Sequence, residues 1–152
     1  MCKKMQIHAT MVEIGGKGVL FKGSSGCGKS DLALRLLADD KVHLVADDVV
    51  NLYVAAEKIY GEAPQNLQGL LEIRGIGVVR RPFVAQSTVD LVVNLVDKPT
   101  QIERMPKTAH ENILGLEIER IDLYAKENSA PEKVKAKLYD VVINDEAIKD
   151  RS

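Results

Sequence analysis

Cysteine is nearly absent. Cys2 and Cys27 are the two in 152 residues, too few to build a disulfide framework. No apolar run approaches the roughly 20 residues that a membrane-spanning helix needs. The formal net charge is -1, so no global basic field points to nucleic acid. The opening "MCKKMQIHATMVEI" is basic but lacks the long apolar region and cleavage site of a secretory signal. No internal repeat, low-complexity tract or linker interrupts the chain. No His and Cys residues stand at zinc-ligand spacing, and His43 and His110 carry no signal. These absences lead to the expectation of one domain over residues 1–152, cytoplasmic, with neither nucleic acid nor membrane as a partner. The remaining composition, 45% hydrophobic and 28% charged, is ordinary for a globular chain long enough to bury a core.

The stretch "GVLFKGSSGCGKSDLALRLL", Gly18 to Leu37, reads as an apolar strand, a glycine-crowded loop and an apolar helix. The loop Gly23, Ser24, Ser25, Gly26, Cys27, Gly28, Lys29, Ser30 fits G-x-x-x-x-G-K-[ST]. Glycines let successive backbone N–H groups turn around an anion without Cβ clashes, and a helix starting near Lys29 adds the positive end of its dipole. Lys29 is then placed for β- and γ-phosphates and Ser30 for Mg²⁺. A chance glycine turn is the bland alternative, but the context agrees on both sides: Val19, Leu20 and Phe21 precede as a short buried strand. Leu32, Ala33, Leu36 and Leu37 follow at helical spacing. Cys27 lies beside a helix N-terminus and Lys29, where a thiolate is favoured; the simpler reading is a small side chain filling a loop position.

Strands are expected at Gln6–Ile14, Gly18–Lys22, Val42–Ala46, Val49–Val54 and Leu91–Val96. "GGKG" is a hairpin-like turn between the first two. Helices are expected at Lys29–Ala38, about Gln65–Leu71, and Pro131–Val142, with Ser129 as a cap. The stretch Lys98–Asn128 has turn residues and no clean period. The mix is α/β with a partly antiparallel sheet.

"HLVADDVVNLYV" puts Asp47 and Asp48 at the end of an apolar strand. An NTPase needs a magnesium partner or a base there, whereas a polar turn between strands is the plain alternative. Neighbouring residues in a strand face opposite ways, so one Asp suits catalysis and the other a structural or outer role. In "LLEIRGIGVVRRP", Glu72 and Arg74 interrupt an apolar run, and a buried charge there needs compensation. A magnesium ion on Glu72 would supply it. So would a Glu72–Arg74 ion pair, or a strand whose alternate residues face solvent. Nothing local singles out His8 or Arg104. No N-K-x-D guanine-reading motif appears, and "VNLVDK" is only superficially similar.

Together, "GVLFKGSSGCGKSDLAL", "HLVADDVV", "GEAPQNLQGLLEIRGIGVV" and "IERM" resemble the catalytic domain of HPr kinase/phosphorylase. The motifs match in order and approximate spacing from His8 to about Arg104, and "ILGLEI" extends the likeness. The resemblance implies a P-loop kinase domain with a mixed sheet and flanking helices. It also implies an ATP- and Mg²⁺-dependent enzyme acting on a serine of the phosphocarrier HPr or a paralogue in a phosphotransferase system. It assigns ATP to Gly23–Ser30, magnesium to Ser30 and Glu72, and proton acceptance to Asp48. His8 and Arg104 become active-site residues, although the family usually has His-Gly where Ala9 follows here. The family resemblance further implies a homohexamer. With seven residues before His8, the chain looks like a short form without the family's N-terminal domain. Where longer members carry a glycine- and arginine-containing segment tied to dephosphorylation, this chain reads "LYAKENSAPEKVKAKL". Weak or absent phosphorylase activity is therefore expected. A P-loop kinase for a small molecule, and an ATP-binding regulator without transfer activity, are the alternatives.

Overall fold

A computed structural model describes residues 3–140 together with 142 and 143; Cys2, and Val141 in the last expected helix, lie outside the described residues. Six strands form the central sheet: β2 (Thr10–Ile14), β3 (Lys17–Lys22), β4 (Val42–Ala46), β10 (Leu91–Leu95), β11 (Ala109–Ile113) and β12 (Leu116–Leu123), in the order β11-β12-β10-β3-β2-β4. β3, β10 and β12 run parallel, and the other pairings are antiparallel. A second sheet contains β1 (Lys4–His8), β5 (Val49–Ala55), β6 (Lys58–Glu62) and β9 (Ser87–Thr88), ordered β1-β5-β6-β9. β7 (Leu70–Ile73) and β8 (Gly77–Arg80) form a separate hairpin. The two α-helices among the described residues are α1 (Lys29–Leu36) and α2 (Ala130–Tyr139).

The central sheet is covered on both faces, and β3 and β10 at its middle carry the continuous apolar runs Val19–Phe21 and Leu91–Val93. Val19 and Phe21 of β3 point with Val12, Leu91 and Val93 toward α1 and α2, where they meet Leu32, Leu36 and Val134. Leu20, Met11 and Val92 point the other way and meet Val50, Leu52 and Ile59 of the second sheet. Helices, central sheet and second sheet therefore form three layers around two apolar cores. Outside them, α2 is tied back by Tyr139, whose hydroxyl donates to the Ile14 carbonyl. Lys135 pairs with Asp39 at 2.9 Å. The Asp39 carboxyl titrates below its ordinary range because it accepts the Lys41 backbone N–H and lies beside Lys135.

Three expectations need correction. The strand expected over Gln6–Ile14 is two strands, β1 and β2, broken at Ala9 where the chain passes from one sheet to the other. The helix expected about Gln65–Leu71 is a single 3-10 turn, Gln65–Leu67, followed by β7; Leu71 is buried against α1 while Glu72 faces solvent, the alternation of a strand. Ser129 stands at the N-cap of α2, but its side chain makes no capping bond; its carbonyl accepts the Lys133 N–H at 2.9 Å. The stretch without a clean period contains β11 and β12, joined through Leu114 and Gly115 at φ 51° and 90°. A leucine in that conformation gives no turn signal.

Gly18 sits where β3 passes under β9. A Cβ there would run into the Thr88 carbonyl oxygen, Met11 Cε and Ser87 Oγ. Because one obstacle is backbone, Gly18→Ala is expected to lower the unfolding free energy by about 3 kcal/mol, measured by urea denaturation. A loss below about 0.5 kcal/mol, the level of an indifferent surface change, would show that the two sheets separate easily at this point.

Candidate functional site

The glycine loop joins the C-terminal end of β3 to α1. Gly26 (φ 82°) and Gly28 (φ 100°) adopt the left-handed region, which costs a residue with a Cβ about 1–2 kcal/mol. Gly26 lines a cleft of about 290 Å³, and a Cβ on it would meet no protein atom within 4 Å. Helical bonding begins at Gly28, whose carbonyl accepts the Leu32 N–H at 2.9 Å. Lys29 Nζ folds over the loop and donates to the carbonyls of Gly23 (2.9 Å) and Ser24 (3.2 Å). Lys29 Nζ also lies 3.8 Å from the Cys27 sulfur. Cys27 is 5% exposed and packs in the core beneath the helices, and a Cβ at Gly23 would lie 2.6 Å from its sulfur. The small-side-chain reading of Cys27 therefore describes its packing.

Two crossings between the sheets bring the other residues to this loop. One is Ala9, between β1 and β2; the other is Asp47–Asp48, between β4 and β5. They are joined by the Ala9 N–H, which donates to the Asp48 carbonyl at 3.2 Å. Beside them the β2–β4 register shifts: Met11 pairs with Ala46 and Val12 with Leu44, leaving Val45 as the extra residue of a bulge. Bulges commonly turn side chains next to functional sites.

The two aspartates separate at the crossing. Asp47 is 7% exposed. Its Oδ1 accepts the hydroxyls of Ser30 (2.7 Å) and Thr10 (3.0 Å), and its Oδ2 accepts the backbone N–H of Glu72 (3.0 Å). Asp48 takes φ 68°, and its carboxylate is exposed. His8 Nδ1 lies 4.0 Å from Asp48 Oδ1, with both side chains largely exposed.

The cleft lining includes Ser25, Gly26, Gly28, Lys29, Ser30, Asp48 and Glu72, together with Thr10 and Arg74. His8 stands at its edge through Asp48. Arg104 lies on an exposed segment after the 3-10 turn Pro99–Gln101 and is not part of this lining. Glu72 and Arg74 form no ion pair among the described residues, so of the two structural alternatives the strand with alternate residues facing solvent fits Glu72, which is exposed on β7. Thr10 was not singled out by sequence. Its partner stands 37 residues away, and a threonine in an apolar strand is otherwise unremarked.

The donors present suit magnesium. Ser30 spends its proton on Asp47, leaving oxygen lone pairs for a hard cation, and Glu72 adds a carboxylate in the same cleft. Among the described residues no group of three or more His, Cys, Asp or Glu side chains is gathered for a metal. Two protein oxygens supplemented by phosphate and water are the usual supply for magnesium.

The chain matches the profile described as "HPr Serine kinase C-terminal domain" over residues 1–151. It is 40% identical over 127 residues to the HPr kinase/phosphorylase of Leptothrix cholodnii, an alignment covering 75% of this chain and 38% of that protein. It is 37% identical over 128 residues to the HPr kinase/phosphorylase of Mycoplasma mycoides, covering 76% and 41%. The chain thus spans about two fifths of the length of the curated relatives it matches. A solved structure described as the Hpr(Ser) kinase/phosphatase from Coxiella burnetii superposes with a TM-score of 0.73 at 27% identity, covering 88% of each chain.

If the open space beside Gly26 receives phosphate, Gly26→Ala is expected to leave a folded protein destabilised by about 1 kcal/mol and to weaken ATP binding at least tenfold, about 1.4 kcal/mol. Calorimetric titration with ATP, paired with thermal melting, reads both effects. Unchanged ATP affinity would remove the loop's inner space from the binding site.

Proposed function

The chain belongs to the HPr serine kinase C-terminal domain family, and from that membership we propose that it transfers the γ-phosphoryl group of ATP to a serine hydroxyl of HPr or a related phosphocarrier protein. The observation that carries this reading is the junction at Asp47, which sets Ser30 and Glu72 against the glycine loop while Asp48 faces the same cleft. In this proposal residues 1–152 act as one catalytic domain in the cytoplasm, within a homo-oligomer that is hexameric on the family pattern.

The glycine loop holds the phosphates through backbone N–H groups, and Lys29 exchanges its loop carbonyls for phosphate oxygens. Ser30 and Glu72 would hold magnesium, which neutralises charge on the phosphates when bound. The serine oxygen attacks the γ-phosphorus as the bond to the β–γ bridging oxygen breaks. ADP leaves, and the serine proton passes to the Asp48 carboxylate. The exposure of Asp48 suits this role because a hydroxyl carried by another protein must reach it. His8, at 4.0 Å, supports the orientation of that carboxylate. Arg104 would act on the phosphoryl only if its exposed segment folds toward the cleft. Most of the rate enhancement comes from positioning and charge neutralisation.

Removing a general base typically costs about 10²–10⁴-fold, so Asp48→Asn is expected to lose that much turnover while ATP binding persists. Mass spectrometry of HPr incubated with ATP, Mg²⁺ and either protein reads the difference. Transfer to metabolites but never to HPr would favour a small-molecule kinase. ATP binding without transfer to either would favour a regulator.

In the reverse direction phosphate attacks phosphoserine, and protonated Asp48 returns its proton to the serine oxygen. That symmetry supplies no binding site for phosphate, and the segment after β12 lacks the family's dephosphorylation element. Given phosphoserine-HPr and excess phosphate without ATP, the chain is expected to release pyrophosphate far more slowly than it phosphorylates HPr. Comparable rates would show that the segment is dispensable.

A further inference from the structure

We infer that Thr10 is a positioning residue for the metal side of the cleft: its hydroxyl fixes the Asp47 carboxylate so that Ser30 keeps its lone pairs turned toward magnesium. The inference rests on the reading of Ser30 as a magnesium ligand and adds a residue to it.

Thr10 is fully buried, and its hydroxyl donates to Asp47 Oδ1 at 3.0 Å. The same oxygen accepts the Ser30 hydroxyl at 2.7 Å. A serine hydroxyl has one proton and two lone pairs, so wherever its proton points decides what its lone pairs face. The acceptor of that proton must therefore be held still. An aspartate carboxylate rotates about a broad, roughly two-fold torsion, and the backbone of the Asp47–Asp48 crossing does not choose its orientation. Two donors from different elements do. The Glu72 N–H holds Oδ2 at 3.0 Å, and Thr10 holds Oδ1. Thr10 is suited to this because it lies on β2, in the central sheet, and its β-branched side chain is stiff at χ1. The proton it supplies comes from a buried strand of the central sheet and not from the glycine loop. Valine has nearly the same shape and offers no proton, which separates the hydroxyl's contribution from packing.

The test is calorimetric titration of the full chain with ATP, once in Mg²⁺ and once in EDTA, for the unmodified protein, Thr10→Val and Thr10→Ser. Partners that orient a metal ligand typically change metal affinity by about 10–100-fold when removed. Thr10→Val is expected to lose about tenfold of the gain in ATP affinity that Mg²⁺ provides while its affinity in EDTA is retained. Thr10→Ser, which restores the hydroxyl, is expected to recover that gain. If Thr10→Val melts too early to titrate, Thr10→Ala gives a second hydroxyl-free variant. A Mg²⁺ gain equal to that of the unmodified protein would overturn the inference and leave Ser30 as a ligand untouched. So would equal losses in Mg²⁺ and EDTA, which would mean that Thr10 supports the whole loop. No Mg²⁺ gain in the unmodified protein would instead overturn the ligand reading itself, and this inference with it.

Discussion

A carboxylate withdrawn from water without partners costs several kcal/mol, and Asp47 is withdrawn almost completely. It is tolerated because a side chain from β2, a side chain from α1 and a backbone N–H from β7 all donate to it. Hydrogen bonds to a charged group are each worth about 1.5–3 kcal/mol, so three of them offset the desolvation. The same bonds fix the relative positions of the strand before the glycine loop's neighbour, the first turn after that loop, and the hairpin carrying Glu72. A packing requirement and a chemical one are thus met by one group.

That group is available only because the chain changes sheets beside it. β1 and β5 belong to one sheet, β2 and β4 to the other, and both connections between them cross at the same level. A crossing ends regular pairing, frees backbone dihedrals, and permits the left-handed conformation of Asp48. Adjacent aspartates consequently have unlike surroundings: one is enclosed by donors, the other is open to solvent. The β7–β8 hairpin completes the arrangement from outside. Leu71 anchors it against α1, and its tip, with Ile76 at 77% and Val78 at 66% exposure, stands free of both cores.

The parallel part of the central sheet explains the placement of the loop. β10 and β12 flank β3 in the same direction, so the loop after β3 opens at the carboxyl edge of three strands, where open α/β sheets bind their ligands. Ser24 reaches Asp97, just past β10, at 3.3 Å. Arg35 of α1 donates to the carbonyls of Ala125 and Glu127, just past β12. Side chains therefore tie the loop and its helix to both neighbouring strand ends.

Much of this was legible locally. The glycine loop and α1 follow from short-range pattern, since glycine placement and apolar spacing are properties of consecutive residues. Val42–Ala46 was legible because four of its five residues are apolar and buried, a short run bounded by polar residues. The family resemblance pointed to Asp48 and Glu72 in one site, and both line the cleft with the loop. Other features were not local. The break at Ala9 depends on which sheet each half-strand joins, and no residue there differs from an ordinary strand residue. β12 alternates charge and apolar side chains, but its pairing with β10 is decided by a strand more than twenty residues earlier. Which aspartate is enclosed and which is open was undecidable from "ADD", because periodicity assumes a continuing strand and the strand stops at Ala46. Sequence alone determined the loop, its helix and the types of residue available for phosphate and metal. Only tertiary structure decided that Thr10, Ser30 and the Glu72 backbone converge on Asp47, because their donors come from elements far apart in the chain and meet only when the two sheets and the hairpin have packed.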